Sequence, residues 1–291
     1  MDGSPGQTIE TRRMNTFSIT RLHVLSAILT AVMSLTANAG DDPFSIHDGH
    51  IHYDQDVWGT LPPAQAVQML RDEHIKRALV SATPTEGAEM LYRADPELVI
   101  PMLRPYKSWR HRYLWFNDPD LKDYLLEHMD RVPYRGFGEF HVFGQDADSI
   151  PIEEMIELAR ERNLVLHPHT DMEGMRIILQ KALDINVMWA HGGFNVPVET
   201  LRVLLDKYPM FYIELSLREG MLDDEQQLTP EWKKFLVNYR QRFLVGMDTY
   251  KPSRWADLPE IVAETRHWLE QLPENVAADI SRNNLDRLFP Q

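Results

Sequence analysis

The chain has 291 residues, 43% hydrophobic and 25% charged, a globular balance with length for one large domain or two small ones. Its formal net charge of -14, with histidine neutral, disfavours non-specific binding to phosphate backbones. The absence of cysteine excludes disulfides, zinc-thiolate sites and cysteine nucleophiles together, so any soft metal must be held by His, Asp or Glu, and 12 histidines are available.

The amino terminus reads as a targeting segment over residues 1–39. Arg21 and His23 accompany an apolar run from Leu22 to Leu35, and Ala37-Asn38-Ala39 supplies a small-x-small cleavage site. The run is about 14 residues, short of the roughly 20 that span a bilayer, so a cleaved secretory signal is expected rather than an anchor. Met14 stands where a more conventional signal would begin. Arg12-Arg13 gives only a weak twin-arginine pattern, because Met-Asn-Thr follows instead of apolar residues. The mature chain is expected to be residues 40–291, working in the periplasm or outside the cell, with no membrane span after cleavage.

After Pro43, short apolar runs alternate with longer amphipathic ones. Strands are predicted over Ser45 to Tyr53, Ala78 to Ala82, Leu98 to Leu103, Gly136 to Phe143, Leu164 to His169, Val187 to His191, Phe211 to Leu217 and Phe243 to Asp248. Between them, Ile152, Met155, Ile156 and Ala159 recur at helical spacing, as do Val198, Leu201 and Leu205. Pro151, Pro197, Pro230 and Pro259 mark helix starts, where a missing N–H costs least. Alternation of strand and helix argues for parallel βαβ units, and eight such strands match a closed (β/α)8 TIM barrel. A doubly wound open sheet is the competing fold.

Chemistry gathers at the predicted strand ends. Asp48-Gly49-His50-Ile51-His52 puts two imidazoles on alternate positions, hence on one face of a strand. Strand four carries Gly138-Glu139-Phe140-His141, strand five His167-Pro168-His169, strand six Trp189-Ala190-His191 and strand eight Met247-Asp248. Any one of these histidines is more readily a hydrogen-bonded core residue than a ligand. A closed barrel would bring the whole set to one mouth, where such folds keep their active sites.

The order HxH, Glu, His, His, Asp on strands one, four, five, six and eight resembles the amidohydrolase superfamily, in particular its amidohydrolase-related branch of metal-dependent hydrolases. The resemblance covers most of the mature chain and is most specific at Asp48 to His52, at Trp189-Ala190-His191-Gly192-Gly193 and at Gly246-Met247-Asp248. Asn283 to Phe289 also looks like that branch's last helix. It implies that His50, His52 and Asp248 bind a divalent ion, most plausibly zinc, in one or two copies. His169 would be the strand-five ligand, with His167 as the alternative. His191 would complete a second metal site or act as an unligated electrophile. Many members carry a lysine on strand four where this chain has Glu139, which can bridge two metals, as in the similar TatD-type nucleases, or stand beside one.

Such an ion would acidify bound water and polarise a carbonyl, with Asp248 as general base and His191 or a metal stabilising the oxyanion. Amide, ester or lactone hydrolysis of a small substrate fits. Decarboxylation on the same site, a TatD-like phosphodiesterase, and a non-catalytic exported metal-binding protein are the alternatives. Arg104, Lys107, Arg110 and Arg112 after strand three and Arg218 after strand seven would make a basic patch for a carboxylate or phosphate, or else be ordinary surface charge. Arg104, His141 and Arg218 are the candidate substrate contacts.

Overall fold

The computed structural model describes residues 45–291, so the expected leader over residues 1–39 lies outside the described residues. Eight short strands are laid down in chain order: β1 (Ile46–His52), β2 (Ile75–Ser81), β3 (Val99–Pro101), β4 (Gly136–His141), β5 (Val165–His169), β6 (Val187–Trp189), β7 (Phe211–Glu214) and β8 (Phe243–Leu244). Every ladder between neighbours is parallel, in a sheet β1-β2-β3 and a sheet β4-β5-β6-β7-β8. Single bonds join the two sheets at both edges. Leu103 pairs in parallel with Phe137, the Gly49 N–H donates to the Val245 carbonyl at 2.8 Å, and the Asp248 N–H donates to the His50 carbonyl at 2.6 Å. The strands therefore run in sequence order around a closed (β/α)8 barrel.

Eleven α-helices are described, from α1 (Pro63–Asp72), α2 (Glu86–Ala94), α3 (Leu121–His128) and α4 (Ile150–Arg162) through α5 (Met172–Lys181), α6 (Val198–Lys207) and α7 (Pro230–Asn238) to α8 (Pro252–Ala256), α9 (Leu258–Leu269), α10 (Glu274–Ala278) and α11 (Asn284–Leu288). The proline signals hold: Pro151 and Pro259 lie in the first turns of α4 and α9, Pro230 opens α7, and Pro197 caps α6. The stripe Ile152, Met155, Ile156, Ala159 is buried, facing the barrel as its spacing requires. Among the described residues no helix is long and apolar enough to cross a membrane.

All the predicted strands but β5 end early, β1 and β2 by a single residue and β4 at His141, short of Phe143. β3, β6, β7 and β8 stop at Pro101, Trp189, Glu214 and Leu244, short of Leu103, His191, Leu217 and Asp248. At β6 the reason is backbone conformation: His191, Gly192, Gly193 and Phe194 all have positive φ and break the ladder. Glycine is required there, since a Cβ on Gly193 would lie 2.5 Å from the Trp189 ring. The apolar alternation remains intact below. Leu79, Ile100, Met102, Val165, Met188 and Leu244 fill the barrel interior and are closed off by Leu285, Leu288 and Phe289 of the carboxyl-terminal segment. Apolar filling at one end leaves the polar inward positions for the other.

Candidate metal centre and its cavity

The alternation of β1 points Asp48, His50 and His52 into the barrel, and all three are buried. His50 Nε2 and His52 Nε2 come 3.0 Å apart. His52 Nε2 lies 3.2 Å from both Glu139 Oε2 and Asp248 Oδ1, and His50 Nε2 lies 3.6 Å from Glu139 Oε1 and Asp248 Oδ1. Residues almost two hundred positions apart thus converge on one point. Asp248 is delivered there at φ 47, with the Arg254 Nε donating to its carbonyl at 2.6 Å.

Both strand-five histidines face the same interior. His169 is half-buried and its Nδ1 lies 2.7 Å from Glu139 Oε1. His167 is buried deeper, its ring packs edge-on to His50 at 4.7 Å, and its Nε2 has no hydrogen-bond partner. His191 Nδ1 reaches the Ser216 carbonyl at 2.9 Å, leaving Nε2 facing Glu139 Oε1 at 3.6 Å. The sets His50–His52–Glu139, His50–His167–Glu214, His50–His191–Asp248 and Glu139–His169–His191 each bring donor atoms within 4.8 Å of one another.

Glu214 was not among the sequence-derived candidates. It ends β7 fully buried, with Oε2 2.8 Å from His50 Nδ1 and accepting the His191 N–H at 3.2 Å and the Ser216 hydroxyl at 2.9 Å. The available signal was an acid directly after Phe211-Tyr212-Ile213, concealed because the predicted strand ran on to Leu217. Gly246 makes the arrangement possible: a Cβ there would come 2.7 Å from His50 Cβ and collide with Glu214.

The electrostatics are those of a shared positive charge among fixed acids. Burial would raise the Glu214 carboxyl, but His50, His191 and His167 outweigh it and bring it down to about 2. Asp248 and Glu139 are likewise buried yet held below the usual carboxylate range by neighbouring imidazoles, His50 and His52 for the former and His141, His50 and His169 for the latter. Burial opposes charge on His50, yet Asp248, Glu214 and Glu139 raise it well above the ordinary histidine value. Burial and the nearby His50 push His167 the other way, towards the neutral ring with a free lone pair. Buried carboxylates and the unpartnered Nε2 of His167 are donors that a divalent cation takes, and such an ion would displace the proton held by His50.

Above the cluster lies a cavity of about 320 Å³ lined by Trp109, Phe194, Leu217 and Tyr250 together with Arg104, Arg112, His141, His169, His191 and Asp248. Of the candidate substrate contacts, His141 lines it, with Nδ1 3.2 Å from the Tyr106 hydroxyl. Arg104 also lines it but is fully buried and committed, donating to Thr83, Asp54 and Glu139. Arg218 is not brought there. It donates to the Val196 carbonyl, stacks 4.8 Å from the Trp232 ring and lines a separate cavity behind β7 and β8.

No protein-family model matches the sequence, and no curated protein matches it. Solved structures do. An amidohydrolase from Burkholderia multivorans with bound zinc superposes with a TM-score of 0.54 at 15% identity, covering 84% of this chain and 98% of that one. Amidohydrolase 2 from Bifidobacterium longum subsp. infantis gives 0.53 at 16% identity over 84% and 97%. A Pseudomonas putida protein assigned as a 2-pyrone-4,6-dicarboxylic acid hydrolase gives 0.58 at 11% identity over 84% and 97%. The chain shares the fold of these solved structures. In the barrel of this chain, His50, His52, Glu139, His167, His169, His191, Glu214 and Asp248 all occupy the carboxyl-terminal side of the strands.

Proposed function

We propose that the chain is a metal-dependent hydrolase that adds water to the carbonyl of a small amide, ester or lactone. The observation that carries the reading is the meeting of His50 and His52 Nε2 at 3.0 Å beneath an open cavity, with Glu139 and Asp248 oxygens 3.2 Å from His52. The zinc-bound amidohydrolase of the same fold supports zinc as the ion. His50, His52 and Asp248 would hold it. The strand-five ligand goes to His167, because its buried Nε2 is free whereas His169 is engaged with Glu139. Glu139, His169 and His191 remain as donors for a second ion. A bound divalent cation supplies Lewis acidity towards the carbonyl and lowers the pKa of water.

The chain's own residues do the rest. Asp248, held anionic among imidazoles, accepts the proton of the attacking water and returns it to the leaving group. His191 is fixed by Ser216 at Nδ1 and offers Nε2 to the oxyanion as it develops. Trp109, Phe194 and Tyr250 wall the substrate from solvent. Export over residues 1–39 is part of the reading, supported by the apolar run and the Ala37-Asn38-Ala39 site, and secreted material should begin near Gly40 on amino-terminal sequencing.

Metal analysis tests the centre: about one to two ions per chain in the wild type, a large loss in His50→Ala/His52→Ala and in His167→Ala, and retention of the first ion, with loss of any second, in His169→Ala. Equal metal in wild type and the double variant would remove the mechanism. Turnover in ¹⁸O-labelled water should place one label in the acid product. Release of carbon dioxide without that label would make the protein a decarboxylase instead.

A further inference from the structure

Among the described residues that line the cavity, one arginine stands without an acid. Arg112 lies in the 3-10 turn His111–Tyr113 that follows β3. Lys107 and His111 both meet Asp118 at 3.1 Å, Arg104 meets Asp54 and Glu139, and Arg110 is exposed and lines neither this cavity nor the one beside it. Arg112 donates from Nη2 to the Tyr113 hydroxyl at 2.6 Å, its Nε is buried with no hydrogen-bond partner, and no ion pair among the described residues engages it. Its guanidinium carbon lies 4.8 Å from the ring centroids of both Trp109 and Tyr113. Such stacking fixes the plane of the donor fork before any ligand arrives.

Position adds the second half of the argument. Arg112, His141 and His169 line both the inner cavity and an adjoining outer one of about 430 Å³, whose remaining walls are Tyr113, Phe116, Phe143 and Asp146. Tyr113 is 65% and Phe143 49% exposed, so the outer chamber presents aromatic faces to solvent. A guanidinium partly removed from water and lacking a counter-ion favours a carboxylate, which can take two of its N–H groups at once.

We propose that Arg112 is the specificity-determining residue of this site, and that the substrate is an organic acid. Its carboxylate sits at the junction of the two chambers, its reactive carbonyl reaches into the inner one, and an apolar or aromatic arm lies along Tyr113 and Phe143. The placement of the carbonyl rests on the hydrolase reading; recognition of the acid does not.

Ligand binding is read without turnover, by quenching of tryptophan fluorescence in the purified protein, using 3-phenylpropionate and its uncharged amide as probes. The acid should bind about tenfold or more tightly than the amide, as a charge-assisted pair requires. Arg112→Gln should abolish that preference, Arg112→Lys should restore part of it, and Phe143→Ala should weaken both probes severalfold with the preference intact. Circular dichroism matching the wild type shows that each variant is folded. An amide that binds as well as the acid, an Arg112→Gln protein that still prefers the acid, or displacement of the acid by inorganic phosphate at equal concentration would overturn the proposal. Acid binding through Arg112 in a protein that hydrolyses nothing would sink the hydrolase reading alone.

Discussion

Glu214 does not itself line the cavity, yet it holds His50 from behind. Its Oε2 accepts from the His50 ring and from the backbone of His191, fixing which ring nitrogen of His50 carries the proton and leaving Nε2 free to bind. An amide cannot accept these bonds with the same strength. Glu214→Gln should therefore lower metal affinity about 10–100-fold, read by competition with a chelator. Unchanged affinity would leave Glu214 as a packing residue only. His50, His52, His191 and Asp248 were legible in the sequence because paired or terminal polar residues interrupt apolar strands. Glu214 and the free Nε2 of His167 were not, since nothing in a one-dimensional pattern tells which imidazole finds a partner.

At the scale of elements, strand ends and helix starts are tied together around the mouth. Asp171 follows β5 after Thr170, and its Oδ1 accepts from the Gly174 N–H at 2.8 Å, capping α5, and from the Gly144 N–H at 3.0 Å beyond β4. One carboxylate thus holds two of the loops that frame His141 and His169. Asp171→Ala should cost roughly 1–2 kcal/mol, the upper range for losing an N-cap, visible as a lower Tm. A Tm equal to the wild type would mean that the two loops are held by their other contacts. The sequence showed all eight strands but set several ends too far along. Hydrophobic alternation continues past Trp189 and Glu214; the positive φ at His191 ends the β6 ladder, whereas β7 stops before the positive φ of Leu217 is reached.

For the whole molecule, the end of the barrel opposite the site is closed by the carboxyl-terminal segment. His47 Nδ1 and Arg77 Nη1 both meet Asp286 Oδ1, at 3.0 and 2.5 Å, and Arg77 also donates to the Phe289 carbonyl. Burial lowers the His47 pKa, Asp286 resists and Arg77 adds to the lowering, with a net value below 6.5. The folded state therefore binds this proton less readily than the unfolded chain, so the contribution is complete above pH 6.5 and is lost as pH falls towards the folded value. His47→Asn keeps a donor for Asp286 and cannot titrate. Its Tm should fall less than that of the wild type between pH 7 and pH 5; parallel slopes would assign the acid sensitivity elsewhere.

The sequence by itself determined the alternation of strands and helices, the apolar filling of the barrel and most of the donors, because periodicity and residue type are local properties. Only the tertiary structure decided that Arg104 is consumed by Asp54 and Glu139, that Arg218 turns to another cavity, and that Arg112 is left without an acid. Those outcomes depend on which distant side chains arrive at the same place, and closure of the barrel is what brings them there.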